Sequence, residues 1–299
     1  HDLGQVDGMI KTDNGKVEEV DFSITTPSFN MLSYLKRCCA SVQDQQGASF
    51  EHIVVDCESS DGTAAWLNSK SEIVKIIEPD EGMYDAVNKG WRAAGARFVS
   101  YLNCDEQYLP GTLAYVKAYF DAHPNVDVIF GDALLIRPDG SFIGYRKGYT
   151  PRRPFIATSH LYVLSCTMFL RRRVIAAGYL FDPQYKIIGD FDFVLRLLQA
   201  GFKAVHLKKY LSAFTFTGHN LSNDQNAAHE KMRLVHSLPI TFRTLKYPLN
   251  VLRLIEKYFS GAYRQELPLN YAIYTAEPFL SRTEFTVTKA EHAWRWPVS

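Results

Sequence analysis

Acidic side chains follow four predicted strands in the first half of the chain. The acidic turns are Asp56-Cys57-Glu58, Glu78-Pro79-Asp80-Glu81, Asn103-Cys104-Asp105-Glu106 and Gly131-Asp132. Because the carboxyl ends of parallel strands meet at one edge of a sheet, we expect the four turns to gather there. Their mutual repulsion is costly unless a cation or hydrogen-bond donors neutralise it, and oxygen ligands suit Mg²⁺ or Mn²⁺. The pattern predicts a divalent metal site that would attract a diphosphate; the alternative is that Asp and Asn simply favour turns.

Alternating strands and helices must position these turns. Strands are predicted at 22–25, 52–55, 73–77, 98–102 and 126–130, with apolar residues at helical spacing between them. This alternation predicts an α/β fold, a mostly parallel sheet covered on both faces by helices.

The rest of the chain is less regular. We expect an extension or small hairpin over 1–20, a hairpin joining 134–136 to 142–145, a helix over 191–200, and short strands at 203–207 and 213–217. From residue 227 onward a mainly helical extension gives way to an irregular, aromatic end. The expected division is therefore 1–20, 21–132 and 133–226 as two halves of one domain, and 227–299.

Composition excludes several classes of protein. The 299 residues are 46% hydrophobic and 22% charged, which excludes wholesale disorder. The net charge of +1 gives no support to a nucleic-acid partner. The five cysteines are odd in number and lack CxxC spacing, which favours a reducing compartment, so we expect a cytoplasmic protein.

Four segments resemble, in order and spacing, the family 2 glycosyltransferases with the GT-A fold. They are Thr26–Asn30, Val55–Thr63, Glu78–Gly90 and Tyr101–Glu106. The third segment is similar to a subgroup that builds bacterial surface polysaccharides, and the resemblance covers about residues 21–222. It implies a Rossmann-like GT-A sheet and an inverting, metal-dependent transfer of sugar. The donor would be a nucleotide-diphosphate sugar, and the acceptor a hydroxyl of a glycan or lipid-linked glycan.

The resemblance also assigns a donor site. Pro27, Ser28 and Phe29 would hold the nucleotide base, with Phe29 stacking on it, as an aromatic face in a strand-end turn can do. The alternative for Phe29 is ordinary core packing. The remaining donor residues would be Asp56, Glu58, Asp80, Asp85 and Asn103. Many family members have a second Asp where Cys57 stands, which leaves the identity of the base open.

The metal site follows from the same resemblance. Asn103-Cys104-Asp105 occupies the place of the family's Asp-x-Asp motif, and Asp105 would bridge Mn²⁺ or Mg²⁺ to the diphosphate. Asn103 replaces the first Asp and could bond the ribose. His219 would complete the metal or diphosphate site, where an imidazole favours Mn²⁺. The alternative for His219 is an ordinary polar loop residue.

Residues 187–197 resemble the family's general-base motif. The base would be Asp190, which takes a proton from the attacking acceptor hydroxyl. Many members have Glu where Gly189 stands. The alternative is that Asp190 is a helix N-cap. Asp192 is expected to be structural, as a negative charge in the first turn of a helix.

Two stretches are basic and poor in acid. Between Asp139 and Asp182 there is no acidic residue, and residues 242–264 hold five Lys or Arg with a single Glu. The second stretch is also aromatic. Such a surface suits an anionic membrane or a lipid-diphosphate acceptor, so we expect peripheral contact at the inner face of a membrane. The alternative is a solvated face with ordinary helix packing.

Two other functions remain open. The departures at Asn103 and Gly189 would suit a nucleotide-sugar or glycan-binding module that has lost catalysis. A nucleotidyltransferase is less favoured, because no Gly-rich basic phosphate loop follows the first predicted strand.

Overall fold

The computed structural model describes residues 9–11, 17–218, 226–275 and 281–289. A short antiparallel hairpin, β1 (Met9–Lys11) and β2 (Val17–Glu19), precedes the main sheet. The strands of the main sheet are β3 (Phe22–Ser28), β4 (Phe50–Asp56), β5 (Ile73–Ile77), β6 (Phe98–Tyr101), β7 (Glu106–Tyr108), β8 (Val128–Ile136), β9 (Phe142–Arg146), β10 (Phe169–Arg171) and β11 (Ala204–Thr215).

The main sheet has the order β5-β4-β3-β6-β10-β8-β11-β7, with β9 paired to β8. Strands β3, β4, β5, β6, β8 and β11 run in one direction. The α/β architecture expected from the alternating pattern is therefore confirmed. An unpredicted strand, β10, runs in the opposite direction between β6 and β8.

Helices pack against the sheet, and three further helices form most of residues 226–260. They are α1 (Leu32–Gln43), α2 (Thr63–Asn68), α3 (Met83–Ala93), α4 (Thr112–Ala122), α5 (Arg153–Thr158), α6 (Arg172–Ala176), α7 (Gly189–Gln199), α8 (Asn226–Ser237), α9 (Ile240–Thr244) and α10 (Lys246–Ser260). Successive residues of a strand point to opposite faces of the sheet. The apolar residues of the main sheet therefore lie in two cores, one on each face. Val99 and Tyr101 of β6 lie in one apolar core, while Phe98 lies in the other.

Three expectations about the later strands are wrong. Strand β8 does not end before Asp132 but continues to Ile136, so Asp132 lies inside a strand and not in a turn at the sheet edge. Its buried carboxylate is held by the His206 ring nitrogen at 2.8 Å and the Gly148 N–H at 3.0 Å. β8 also crosses the expected division at 132/133.

The two short strands expected at 203–207 and 213–217 form the single strand β11, which keeps pairing with β8 across two register irregularities. The chain beyond α10 is not irregular throughout. It forms an antiparallel hairpin of β12 (Leu269–Ile273) and β13 (Thr283–Val287), and this hairpin buries Tyr271 against the edge of the main sheet.

Helix α10 has inverted amphipathicity. Four of its half-buried residues are polar and face the protein, namely Asn250, Arg253, Glu256 and Lys257; Leu249 and Ser260 are half-buried as well. Its exposed residues are mainly apolar: Tyr247, Val251, Leu252, Leu254, Ile255, Tyr258 and Phe259. We call this exposed set the apolar face of α10. Within the residues the structure describes, no helix is long and apolar enough to cross a membrane.

Close packing of α3 on β3 gives a prediction about stability. A Cβ added to Gly90 would overlap the side chain of Thr25, which is fully buried in the central strand. We expect Gly90→Ala to lower the free energy of unfolding by about 1–3 kcal/mol, the usual cost of overpacking a core. Urea unfolding measures this change. Arg92→Ala, at an exposed position of the same helix, should change it by less than about 0.5 kcal/mol; equal effects would contradict the close approach.

Candidate active site

The loops after β3 and β4 are tied together by side chains. Ser59 Oγ and Asn30 Oδ1 accept hydrogen bonds from the backbone N–H groups of Asn30 and Ser60, both at 2.8 Å. Asp61 Oδ2 accepts one from the Leu32 N–H, also at 2.8 Å. Two strand ends that are neighbours in the sheet therefore share one hydrogen-bonded loop unit. Sequence reasoning identified this segment but not the linking role of Asn30 and Asp61.

The residues predicted to hold the nucleotide base of the donor lie at the end of β3. The strand is three residues longer than expected, so Pro27 and Ser28 are buried within it and not in a turn. Phe29 begins the loop and is 59% exposed. Core packing, the alternative for Phe29, is therefore excluded, and its ring is available to a ligand.

The acidic residues after β4 differ in their availability. Asp56 is fully buried, and its two carboxylate oxygens accept hydrogen bonds from the Ser59 N–H at 2.9 Å and the Ser59 hydroxyl at 2.6 Å. Glu58 is exposed and has a left-handed backbone, with φ of 48°. Asp56 therefore shapes the loop, whereas Glu58 is free to reach solvent or a ligand.

The loop after β5 closes against the same region. The Asp80 N–H donates to Cys57 Sγ at 3.4 Å, and Asp80 Oδ1 accepts from the Gly82 N–H at 2.8 Å. Asp85 accepts from the Glu81 N–H at 3.1 Å and lies 3.7 Å from Lys89 Nζ. Asp80 thus lies beside the β4 loop, while Asp85 is engaged at the start of α3.

A buried acidic cluster follows β6. Glu106 Oε2 accepts a hydrogen bond from the Asn103 N–H at 2.8 Å, and Glu106 is 1% exposed. Burial raises the pKa of Asp105 to about 6. Burial, followed by the charge of Asp105, raises the pKa of Glu106 to about 8, and the charge of Asp190 acts in the same direction. The carboxylates after β6 and the carboxylate of α7 are therefore within electrostatic reach of each other.

This cluster fits a hard divalent cation. Asn103 Oδ1 and Glu106 Oε1 are buried with no hydrogen-bond partner among the described residues. The parts of the chain that the structure describes contain no group of three or more His, Cys, Asp or Glu side chains able to hold a metal. Mg²⁺ in particular is often bound by one or two carboxylates together with substrate phosphates, which suits a site centred on Asp105. His219 lies outside the described residues.

Asp190 lies in the first turn of α7 and does not cap it. The N-cap residue is Ile188, which makes no side-chain capping bond, so the N-cap alternative is wrong. Asp190 Oδ1 accepts hydrogen bonds from the Phe191 N–H at 2.8 Å and the Tyr84 hydroxyl at 3.3 Å. The Tyr84 hydroxyl also lies 3.1 Å from the Ile187 carbonyl oxygen, so two acceptors share its single hydrogen. Burial raises the pKa of Asp190 to about 6. Asp192 pairs with Arg196 at 2.7 Å, as a structural carboxylate would.

The position of the Tyr84 ring explains why a glycine precedes Asp190. The Tyr84 ring is buried and packs on Phe181, with ring centroids 4.7 Å apart. A Cβ at Gly189 would lie 2.6 Å from this ring. A larger residue there would displace Tyr84 from Asp190, so Gly189 preserves the contact between these two side chains. Sequence reasoning missed Tyr84, although it is the aromatic residue of the quoted Glu78–Gly90 segment.

The C-terminal extension also supports the loop before Asp190. Glu230 of α8 accepts hydrogen bonds from three successive backbone N–H groups, those of Lys186, Ile187 and Ile188, at 2.9 to 3.1 Å. Helix α8 therefore fixes the entry to α7. No local pattern in the sequence reveals this contact, because the residues are more than 40 positions apart.

The Tyr84 hydrogen bond gives a testable prediction. This bond favours the ionised form of Asp190 and so lowers its pKa against the effect of burial. Tyr84→Phe should therefore raise the pKa of Asp190 further, by about one unit, the order expected from a hydrogen bond to a charged group. Carbon-13 NMR of the Asp190 carboxyl carbon measures it. Tyr115→Phe, at an exposed tyrosine of α4, is the control; an unchanged or lowered pKa in Tyr84→Phe would contradict the assignment.

Comparisons with known proteins agree on one family. The sequence model of glycosyl transferase family 2 matches residues 23–180. A Mycobacterium tuberculosis PGL/p-HBAD biosynthesis glycosyltransferase is 26% identical over 185 residues, covering 58% of this chain and 68% of the relative. The putative teichuronic acid biosynthesis glycosyltransferase TuaG of Bacillus subtilis is 25% identical over 248 residues, covering 77% of this chain and 96% of the relative.

Solved structures share the fold. Residues 1–349 of S. aureus TarS align with a TM-score of 0.58 at 18% identity, covering 83% of this chain and 76% of that one. The mannosyltransferase PcManGT from Pyrobaculum calidifontis aligns with a TM-score of 0.53 at 14% identity. These likenesses confirm the GT-A-like architecture, and the family match decides the class: the chain belongs to glycosyl transferase family 2 and is a glycosyltransferase.

Proposed function

We propose that this glycosyltransferase moves a sugar from a nucleotide-diphosphate donor to an acceptor hydroxyl with inversion, as in bacterial surface-polysaccharide synthesis. One observation carries the proposal: the Asp190 carboxylate, with a pKa of about 6, lies within electrostatic reach of the acidic cluster at Asp105 and Glu106. An inverting transfer needs one carboxylate to accept the acceptor's proton and a charge-neutralising site for the departing diphosphate.

The donor would bind at the ends of β3, β4 and β5, within the half formed by residues 21–132. The exposed ring of Phe29 suits stacking on a base, and Glu58 and Asp80 line the loops beside it. TarS has been solved with UDP-GlcNAc, and PcManGT with GDP-Man and Mn²⁺. UDP and GDP sugars are therefore the first donors to test.

The metal would be Mn²⁺ or Mg²⁺ held by Asp105, with oxygens of Asn103 and Glu106 close by and His219 as a further ligand. When bound, it would supply Lewis-acid neutralisation of the donor diphosphate. The protein's own contribution is to present these oxygens already buried, in a setting where water competes less for the ligand.

Asp190 would remove the proton from the acceptor hydroxyl. A pKa near the working pH lets it stay ionised before the reaction and still hold the proton afterwards. The Tyr84 hydroxyl and the Phe191 N–H hold its Oδ1 oxygen in place. A binding module without catalysis is the weaker proposal, because both Asp105 and Asp190 are present, and Gly189 is explained by the Tyr84 ring.

The acceptor would enter through residues 133–226, with residues 227–299 facing a membrane. The apolar face of α10 is covered by nothing in the described part of the chain, and exposed Arg243, Lys246 and Arg264 lie close to it in sequence. An exposed apolar helix face with basic flanks complements an anionic bilayer. All five cysteines are free, which fits the reducing, cytoplasmic side of that membrane.

The metal assignment predicts a loss of metal-dependent donor binding. Asp105→Asn keeps the side-chain volume but removes the charge that would bind the cation. We expect UDP- or GDP-sugar affinity measured by calorimetry in Mn²⁺ to fall to the value that wild type shows in EDTA. Glu72→Ala, at an exposed carboxylate, should bind as wild type does. Wild-type affinity unaffected by EDTA would contradict the assignment.

The membrane assignment predicts salt-sensitive binding to vesicles of phosphatidylglycerol and phosphatidylcholine. Flotation should recover the protein with vesicles at low ionic strength, and less of it as salt rises. The double variant Tyr247→Ser/Phe259→Ser should lose most of this binding, because it removes two of the most exposed apolar anchors. Tyr115→Ser/Met232→Ser, at exposed residues outside α10, is the matched control. Equal losses in both, or no flotation of wild type, would overturn the assignment.

A further inference from the structure

Cationic side chains gather where α10 packs on α5, in the segment between β9 and β10. We define the acceptor-side cation cluster as Arg146, Arg253 and Lys257, with His160 and Lys231 at its border. Burial, followed by the charges of Arg253 and Arg146, lowers the pKa of Lys257. Burial and then the charges of Arg253, Lys231, Lys257 and Arg146 lower the pKa of His160 to about 4. Arg253 and Lys257 lie one turn apart on α10, Lys257 is within electrostatic reach of Arg146, and His160 is within reach of these three and of Lys231.

Distant parts of the chain build this cluster. Arg146 and His160 come from the acid-free stretch between Asp139 and Asp182, while Arg253 and Lys257 come from the polar, inward side of α10. The Asn250 side-chain N–H donates to the Thr158 carbonyl at 3.1 Å and docks α10 on α5.

The single acidic residue on this part of α10 is paired with a cation outside the cluster. Glu256, the single acidic residue of 242–264, forms an ion pair with Arg152 at 2.6 Å. Its negative charge is therefore already matched by a cation outside the cluster. One residue of the first basic stretch, Arg146, and two of the second, Arg253 and Lys257, thus form one positively charged site.

The cluster is both fixed and accessible. Arg253 Nη1 donates to the Tyr149 hydroxyl at 3.2 Å, and Lys257 Nζ lies 4.4 Å from the centre of the Tyr263 ring. Arg146, Arg253 and Lys257 are half-buried, so a ligand can still reach them. Like charges held together in partial burial are stabilised by a bound anion, and guanidinium groups match phosphate oxygens with paired hydrogen bonds.

The border of the cluster leads to the candidate base. Lys231 Nζ lies 5.9 Å from the centre of the Phe191 ring, and Phe191 is the residue after Asp190. The same Lys231 acts on His160. The positive charge therefore extends from the inner side of α10 towards the start of α7, while the apolar face of the same helix points to solvent.

We propose that the acceptor-side cation cluster binds the diphosphate of a lipid-linked acceptor, so that the acceptor hydroxyl is presented to Asp190. This inference rests on the proposed function and names its acceptor class. The lipid chain would lie along the apolar face of α10, and the diphosphate would lie on the inner side of that helix.

Binding of three probes to the full chain tests the proposal. The probes are farnesyl diphosphate, farnesol and inorganic pyrophosphate, each titrated calorimetrically below its aggregation concentration. Wild type should bind farnesyl diphosphate more tightly than either partial probe. Arg253→Gln/Lys257→Gln should weaken that binding at least about tenfold, as expected for lost charged hydrogen bonds. Lys75→Gln/Arg92→Gln, which removes the same charge from exposed positions of β5 and α3, should stay within about twofold of wild type.

Several results would overturn the proposal. If both double variants weaken farnesyl diphosphate binding equally, the binding reflects a general attraction between positive charge and the anionic probe. If pyrophosphate binds as tightly as farnesyl diphosphate, the ligand is a free diphosphate. If farnesol does, the ligand is purely apolar. Displacement of farnesyl diphosphate by saturating UDP or GDP would assign the cluster to the donor. If the α10 variant melts early, Arg146→Gln on β9 decides with the same tenfold criterion. Nucleotide binding is measured separately, so failure of the proposed function shows there and not in the lipid arm.

Discussion

Burial of like-charged carboxylates at one edge of the sheet is the constraint on which the active-site region depends. Asp105 lies in the loop after β6, Glu106 begins β7, and Asp190 of α7 is close enough for its charge to raise the pKa of Glu106. Such a group of carboxylates is costly in a partly dry environment. Hydrogen bonds from the Asn103 N–H, the Phe191 N–H and the Tyr84 hydroxyl hold two of these carboxylates in place.

This cost predicts how the stability of the protein depends on pH. Because the pKa of Asp190 in the folded chain is above its ordinary value, the folded state binds more protons than the unfolded state between about pH 4 and 6. The free energy of unfolding therefore falls as pH rises through this window, and Asp190 contributes least to stability above about pH 6. Tyr84, Gly189 and Glu230 offset this by fixing the position of α7 relative to α3 and α8.

Local sequence patterns predicted the strands β3 to β6 and the motifs at their ends, because apolar periodicity and turn residues are short-range signals. They failed where pairing is long-range. Strand β10 has three residues and too little sequence to show a period, and Asp132 was expected in a turn because nothing local reveals that β8 continues beside β11. Composition identified the basic, aromatic tail. The outward side of α10 could not be predicted, because its polar residues pack on the protein.

Some residues of the candidate site could be predicted from the sequence and others could not. Asp105 and Asp190 were accessible from motif order, whereas Tyr84 and Glu230 act through contacts that exist only in the folded chain. The departure at Gly189 suggested a damaged motif in the sequence. In the structure it is the absence of a side chain that lets the Tyr84 ring pack against the first turn of α7.

The assignment of Asp190 as the base is tested most directly by comparing Asp190→Asn with Asp192→Asn in single-turnover sugar transfer at saturating donor and acceptor. Both variants remove one carboxylate from the same helical turn. We expect Asp190→Asn to lower the transfer rate by about 10²–10⁴, the usual cost of losing a general base, with donor affinity and melting temperature preserved. Asp192→Asn should transfer sugar at close to the wild-type rate. Near wild-type transfer by Asp190→Asn, or equal losses in the two variants, would contradict the account.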